Sequence, residues 1–199
     1  MFFPLVLTMT RIAIFASGAG SNAAKIIDYF RSHQDVAVAL VVSNKPGAGV
    51  ITIAEKEKIP VLIIDKEQFF RGDGYVPFLR SKNIDFIVLA GFLWKIPSTI
   101  LSAYSNSIIN IHPALLPKYG GKGMYGLNVH ASVLSSGDHE TGITIHYVDE
   151  HYDNGDVIFQ EKCDVSPADT PETLAEKVHK LEHKHFPRVI EQVVSLRNK

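Results

Sequence analysis

Cysteine is almost absent from this sequence: Cys163 is the only one among 199 residues. A single thiol cannot form a disulfide within the chain, and it excludes a zinc site built from several cysteines. We interpret Cys163 as a small side chain in or near the core, and we expect no metal in the protein. A reducing compartment is in keeping with this usage, so we expect a cytoplasmic location.

A surplus of either charge is also missing. The chain carries 20 Lys and Arg residues against 21 Asp and Glu residues, a formal net charge of -1. Without a basic excess or a run of Lys and Arg, we expect neither nucleic acid nor a membrane surface as a partner. A small anionic ligand stays open, because a few local donors suffice to bind one.

Long hydrophobic runs are lacking too. Residues 1–10 are apolar, but they are too few to span a bilayer. They also lack the basic start and the small-residue cleavage site of a signal peptide. We expect them to form an extension, with Met1 or Met9 as the true start, and we expect residues 11–199 to fold as one domain.

What the sequence does contain is a regular alternation of short apolar runs with amphipathic stretches, which predicts βαβ units on a parallel sheet. The predicted fold is a single α/β, Rossmann-like domain with a mostly parallel sheet flanked by helices. We predict strands at residues 12–16, 36–42, 61–64, 85–90, 107–111, 141–148 and 156–163. We predict helices at residues 21–31, 50–58, 75–82, 98–103, 127–136 and 171–196, with Thr170 capping the last and Pro187 kinking or interrupting it.

The first motif follows the first predicted strand and reads Gly18-Ala19-Gly20-Ser21-Asn22-Ala23. Its glycines allow close backbone approach, and the helix that follows points free N–H groups at an anion. A dinucleotide site would also place an acidic residue after the second strand, where this chain has Ser43-Asn44-Lys45. The motif therefore favours a phosphate monoester over NAD, and a purely structural turn is the alternative.

The second motif, Asn110-Ile111-His112-Pro113, lies at the end of a predicted strand. Asn110 and His112 are two residues apart, so their side chains leave the strand on the same face. Ligands of open α/β sheets bind at the carboxyl ends of strands. An amide N–H and an imidazole at that edge can stabilise and protonate a developing oxyanion, although such a histidine is often only structural.

The third motif is Asp153-Asn154-Gly155-Asp156, between two predicted strands. Its composition is typical of a hairpin turn. An aspartate at such a turn can also be the carboxylate that keeps a histidine protonated. The residues alone leave both interpretations open.

With these three motifs in order along the chain, the sequence resembles the phosphoribosylglycinamide formyltransferases, a family of folate-dependent enzymes of purine synthesis. The segment Asn110-Ile111-His112-Pro113-Ala114-Leu115-Leu116-Pro117 is shared with related formyltransferases, and the Gly18–Asn22 loop is more specific. Further matching segments are Ser43-Asn44-Lys45, Val88-Leu89-Ala90-Gly91-Phe92, Thr141-Gly142, Asp153-Asn154-Gly155 and Glu182-His183.

The resemblance implies transfer of the formyl group of 10-formyltetrahydrofolate to the amine of 5-phosphoribosylglycinamide, with no metal. It implies a catalytic trio of Asn110, His112 and Asp153. It places the substrate phosphate at Gly20, Ser21 and Asn22, and Glu182 near the glycinamide. It implies folate contacts at Arg71, Leu93, Trp94, Lys95, Ile96 and Asn110, with residues 149–153 covering the pterin edge. Its partners are these small molecules, and a homodimer is left open.

Other functions compete with this one. Another formyltransferase or hydrolase that uses 10-formyltetrahydrofolate shares the central segment, but a methionyl-tRNA formyltransferase would need a basic C-terminal domain and a deformylase an extra N-terminal domain. We expect neither in this sequence. A nucleotide-binding sensor would use only the loop of residues 18–22 and would leave Asn110, His112 and Asp153 unexplained. The Trp94-Lys95 pair and the long loop at residues 120–126 depart from some relatives.

Overall fold

The computed structural model describes residues 9–73 and 75–197. They form one seven-stranded sheet in the order β3-β2-β1-β4-β5-β6-β7. The strands are β1 (Thr10–Phe15), β2 (Val36–Ser43), β3 (Val61–Ile63), β4 (Phe86–Leu89), β5 (Ile108–His112), β6 (Glu140–Tyr147) and β7 (Val157–Asp164). The first five strands pair in parallel, whereas β6 and β7 are antiparallel. The predicted α/β class with a mostly parallel sheet is confirmed.

Helices cover both faces of the sheet. They are α1 (Ser21–Phe30), α2 (Gly49–Lys56), α3 (Lys66–Arg71), α4 (Tyr75–Ser81), α5 (Ser98–Ala103), α6 (Leu127–Ser135) and α7 (Pro171–Arg197). Alternate residues of β1 serve two cores because successive strand side chains point to opposite faces. Ile12 and Ile14 pack with α1, α2 and α7, whereas Ala13 and Phe15 pack with α3, α4 and α5.

The order of the strands creates a crevice between β1 and β4. From β1 the chain builds outward through β2 and β3, and then returns to add β4 and β5 on the other side. The loops after β1 and β4 therefore diverge to opposite faces of the sheet. A hydrogen bond from the Ser17 N–H to the Gly91 carbonyl (3.0 Å) joins the two loops where they leave their strands. Such a switch point at the carboxyl ends of strands is where open α/β sheets bind ligands.

Three details differ from the sequence prediction. Strand β1 begins at Thr10, one residue before the predicted domain, and residues 1–8 of the predicted extension lie outside the described residues. Helix α3 was not predicted; Asp65 caps it by accepting from the N–H groups of Glu67 (2.8 Å) and Gln68 (3.0 Å). The predicted interruption at Pro187 is wrong, since α7 continues through this buried proline with its apolar side packed on the sheet.

Candidate active site

Strand β5 brings the second motif to the carboxyl edge of the sheet. Asn110 and His112 lie at the end of this strand, and Pro113 follows directly. Their neighbours on β6 are His146, opposite Asn110, and Thr144, opposite His112. His112 is buried and Asn110 half-buried, yet both contribute to the wall of one large cavity.

The loop between β6 and β7 brings Asp153 to the same point. One carboxylate oxygen, Oδ1, lies 3.5 Å from His112 Nδ1 and 3.4 Å from Asn110 Nδ2. The other, Oδ2, accepts the backbone N–H of Gly121 at 2.9 Å. The structure therefore brings together the three residues predicted to be catalytic, although Asp153 is 43 positions from Asn110 along the chain.

The shape of this loop depends on Asp149 and Gly155. Asp149 accepts the backbone N–H of His151 (2.7 Å) and an N–H of the Asn154 amide (2.9 Å), so its carboxylate holds the turn together. A Cβ at Gly155 would lie 2.0 Å from the Tyr147 carbonyl oxygen, which leaves no room for any side chain. Asp153 itself adopts a left-handed backbone conformation, with φ of 52°. The segment is thus a turn, as its composition predicted, and the same turn places the Asp153 carboxylate beside His112.

Both ring nitrogens of His112 face oxygen acceptors. Nε2 donates to the Tyr119 carbonyl at 2.7 Å, and Nδ1 faces Asp153. Burial lowers the pKa of His112, whereas Asp153 and the Tyr119 carbonyl act to raise it and His146 adds to the lowering. Only the imidazolium can donate to both acceptors, so the geometry favours the charged form against the cost of burial.

The pKa of Asp153 is lowered although burial opposes its ionisation. The neighbouring His146, the charge of His112 and the Gly121 N–H together outweigh the desolvation of the carboxylate. Asp153 is therefore an anion at neutral pH, and it provides the opposite charge that a protonated His112 needs.

The cavity beside these residues has a volume of about 740 Å³. Its wall combines the glycine loop after β1, the Gly91-Phe92-Leu93 turn after β4, the end of β5, residues 121–127 and one side of α7. Lys45 and Lys122 supply positive charge to this wall. A cavity of this size and mixed lining suits small molecules with an anionic part.

The glycine loop ends in the N-terminus of α1. Gly20 has φ of 82°, and a Cβ there would lie 2.8 Å from Val50, so the position requires glycine on both counts. No side chain caps α1, which leaves the first N–H groups of the helix for an anion. Ser21 is exposed in the cavity wall beside them.

The buried Glu182 and the half-buried Asn22 form a polar pair in the same wall. The Asn22 amide donates to Glu182 Oε2 at 2.8 Å, and burial raises the pKa of Glu182 against the effects of Asn22 and His179. Asn22 Oδ1 is buried and has no hydrogen-bond partner among the described residues. The side chain of Asn22 thus faces Glu182. The contact with the substrate phosphate that the resemblance implies for Asn22 is therefore better assigned to its backbone N–H.

A family model described as formyl transferase matches residues 10–190. The chain belongs to the formyl transferase family. It is 42% identical over 186 residues to the chloroplastic phosphoribosylglycinamide formyltransferase of Arabidopsis thaliana, covering 90% of this chain and 64% of that protein. It is 38% identical over 196 residues to the phosphoribosylglycinamide formyltransferase of Bacillus subtilis, covering 96% of this chain and 98% of the relative.

Solved structures agree with this membership. The crystal structure of phosphoribosylglycinamide formyltransferase from Bacillus halodurans matches with a TM-score of 0.83 and 38% identity, over 94% of this chain and 95% of the other. The chain thus spans less than two thirds of the plant relative's length and nearly all of the bacterial proteins.

The folate contacts expected of a formyl transferase are only partly in the cavity wall. Leu93 lines the cavity, next to Phe92, and Asn110 does so from β5. Trp94 instead packs against Phe69 and Phe70, because the turn after Leu93 directs its ring towards the core that contains α3, α4 and α5. The remaining three are not in this wall: Lys95 is exposed, Ile96 is buried in the core, and Arg71 pairs with Glu67 at 2.7 Å beside a separate shallow groove.

Two buried histidines of this chain were not predicted from the sequence. His146 Nε2 lies 3.1 Å from Asn110 Nδ2 and 3.7 Å from Asp153 Oδ1, so it belongs to the same cluster. The alternating pattern of β6 was the only sequence signal for His146. The register of β5 and β6 is also needed, because it places residue 146 opposite Asn110. His130 of α6 lines the cavity, and its Nδ1 is buried with no partner among the described residues.

Two searches of the described residues gave negative results. No group of three or more His, Cys, Asp or Glu side chains in residues 9–73 and 75–197 is arranged to hold a metal ion. In the same part of the chain, no helix has the length and apolar character needed to cross a membrane.

Acid should destabilise the protein through His130. Burial lowers the pKa of His130 to about 4, and His179 and His112 add to the effect. Below its ordinary pKa this imidazole binds a proton in the unfolded chain but not in the folded one. The contribution of His130 to the free energy of unfolding is therefore complete above pH 6.5 and is lost as the pH falls towards 4. We expect His130→Gln to reduce the acid-induced loss in unfolding free energy by on the order of 3 kcal/mol. Urea titrations at several pH values between 7 and 4 measure it.

His139→Gln provides the matched control variant, because the imidazole of His139 lies on the surface and not in the core. If His130→Gln and the parent lose the same free energy between pH 7 and 4, His130 is not the neutral buried group described here.

Proposed function

We propose that this chain transfers the formyl group of 10-formyltetrahydrofolate to the amine of 5-phosphoribosylglycinamide. The observation that carries the proposal is the meeting of Asn110, His112 and Asp153 in a cavity whose wall also contains an anion-binding helix N-terminus. One part of this wall suits a phosphate, and another suits chemistry at a carbonyl. The names of the bacterial relatives, which the chain covers almost fully, support the same assignment.

The residues around β4 and β5 fit a folate. Phe92, Leu93 and Ile111 give the cavity apolar surface next to Asn110, and Tyr152 of the β6–β7 loop, which is 42% exposed, also lines it. An apolar slot beside a few fixed polar groups is the usual site for a flat heterocycle. When bound there, 10-formyltetrahydrofolate would supply the formyl carbon that an amine attacks, and the folate nitrogen that leaves this carbon would take up the proton that the amine loses.

The chain's own groups then act on the charge that develops on the formyl oxygen. Asn110 donates an amide N–H to it, and His112, as the imidazolium, provides positive charge and a proton. In this structure both side chains point their N–H groups at Asp153, at 3.4 and 3.5 Å. These contacts are long, so exchange for a carbonyl oxygen costs little, and Asp153 continues to favour the charged form of His112 against the effect of burial.

Formyl transfer is tested by supplying the purified chain with 10-formyltetrahydrofolate and 5-phosphoribosylglycinamide. Mass spectrometry should show the formylated amine, and absorbance should show loss of the formyl group from the folate at the same rate. Glycinamide without the ribose phosphate should react poorly. Loss of the formyl group without formation of the formylated amine would indicate a hydrolase and would refute the proposal.

The N-terminus of α1 should serve only the phosphate-bearing substrate. We expect Ser21→Ala to raise the KM for 5-phosphoribosylglycinamide about tenfold, because a hydrogen bond to a charged group is lost, and to leave the folate KM unchanged. Ser98→Ala is the matched control, since Ser98 also begins a helix but lies outside the cavity wall. An equal rise in both constants would mean that the loop binds a different ligand.

We also propose a cytoplasmic location, no nucleic-acid partner and, as an arrangement that sedimentation can test, a homodimer. The near-neutral net charge of -1 supports the second of these, because binding to nucleic acid draws on a local surplus of Lys and Arg.

A further inference from the structure

One short backbone segment contacts both members of the His112–Asp153 pair. The Tyr119 carbonyl accepts from His112 Nε2 at 2.7 Å, and the Gly121 N–H donates to Asp153 Oδ2 at 2.9 Å. Between them, a Cβ at Gly120 would lie 3.2 Å from the Cβ of Asp153, so the segment passes close to the loop that carries this carboxylate. We call residues 119–121 the backbone bracket.

The bracket is itself tied to a residue outside the cavity wall. The Tyr119 phenol donates to Asp138 Oδ2 at 2.8 Å, and Lys118 Nζ reaches the same oxygen at 2.9 Å. Asp138 lies between α6 and β6, where the Lys118 and Tyr119 contacts hold the pKa of its carboxyl below the ordinary value. Tyr119 has φ of 57°, a left-handed conformation that a tyrosine keeps only when other contacts enforce it.

We propose that Asp138 and the side chain of Tyr119 are positioning residues for the His112–Asp153 pair. They fix the bracket, and the bracket presents a carbonyl to His112 Nε2 and an N–H to Asp153 Oδ2. With Nε2–H held by a carbonyl, the ring can be charged only by a proton on Nδ1, the nitrogen that faces Asp153. Loss of the Tyr119–Asp138 bond therefore loosens the imidazole and favours its neutral form.

The other groups that face His112 stay unchanged in this comparison. Asp153 of the β6–β7 loop favours the imidazolium, and His146 of β6 opposes it. His130 of α6 is also close enough to interact with His112. Lys118 is 67% exposed and paired with Asp138, and it is not among the groups that shift the pKa of His112. A change in the pKa of His112 after substitution of Tyr119 or Asp138 is therefore transmitted through the bracket.

The experiment compares Tyr119→Phe, Asp138→Ala and their combination with the parent chain. NMR of the imidazole nitrogens follows the pKa of His112 and the environment of Nε2. We expect a lower pKa for His112 and a changed Nε2 signal in each variant, and a double variant no worse than the stronger single one. In the assay of the proposed function, on which the kinetic part rests, we expect kcat near neutral pH to fall about tenfold or more with little change in either KM.

Two control variants separate positioning from surface charge. Lys118→Met removes one exposed ion pair to Asp138 but keeps the phenol contact, and Lys162→Met removes the exposed pair with Glu140, 2.7 Å long, on neighbouring strands. Both should keep the parental pKa of His112 and the parental kcat, as expected for exposed ion pairs.

An unchanged pKa of His112 in both Tyr119→Phe and Asp138→Ala would overturn the proposal, as would losses that appear in KM rather than kcat. If Tyr119→Phe does not fold, Asp138→Ala decides the question alone, because Asp138 is partly exposed. If the parent chain transfers no formyl group, the proposed function fails, while the NMR titration still supports or overturns the role of the bracket.

Discussion

Substitution of His112 by alanine is expected to lower the turnover of formyl transfer by about 10³-fold or more. In the proposed reaction the imidazolium both donates a proton and stabilises the oxyanion. Proton transfer contributes roughly 10²–10⁴-fold and one oxyanion donor roughly 10²–10³-fold. Neither KM should change much, because His112 is buried and acts on charge that develops only during the reaction. Steady-state kinetics with each substrate varied in turn measure how far the loss appears in kcat and how far in each KM.

His33→Ala is the control for this experiment, since it removes an imidazole that pairs with Glu191 away from the cavity wall. Thermal unfolding of both variants establishes that they are folded at the assay temperature. A loss of less than tenfold in His112→Ala would remove His112 from the chemistry and leave it a structural role.

Asp153→Asn should reduce turnover near neutral pH by about 10²-fold, with a loss that depends on pH. The substitution keeps the shape of the side chain but removes the charge that favours the imidazolium, so the pKa of His112 should fall. Activity that needs the imidazolium is lost as the pH rises through this pKa. The alkaline limb of the kcat profile should therefore move to lower pH, and the deficit should shrink as the pH is lowered. Profiles from pH 5 to 9 measure the shift.

The two substitutions should be strongly non-additive, because the carboxylate acts through the histidine. The combined variant is expected to be little worse than His112→Ala alone. Losses that simply multiply would show that Asp153 works independently of His112. In that case the carboxylate should be assigned to the structure of the β6–β7 loop.

Much of the fold could be predicted because burial on both faces of a parallel sheet produces continuous apolar strands. The strands at residues 36–42 and 61–64 were predicted almost to their true ends, since charged or turn-forming residues bound them. Helix α3 was missed because it is six residues long and depends on one cap, Asp65, rather than on periodicity. The helix-breaking effect of Pro187 was overestimated, because packing of the surrounding α7 residues outweighs the local backbone preference of proline.

The candidate site could be predicted only as far as local geometry extends. The period of a strand places Asn110 and His112 on one face without any knowledge of the rest of the fold. The position of Asp153 depends on a loop that folds back over 43 residues, so composition alone suggested no more than a turn. His146 and the Tyr119 carbonyl depend on strand register and on a main-chain atom, neither of which a single sequence displays.

The packing of Gly155 against the Tyr147 carbonyl separates folding from activity. Any side chain at residue 155 would push aside the loop that holds Asp153, although this glycine is neither in the cavity wall nor in a hydrophobic core. The glycine loop after β1 and the cavity-lining side of α7 would persist. A change at this position would therefore act on one part of the wall alone, with the loop after β1 intact and the Asp153 carboxylate displaced from His112.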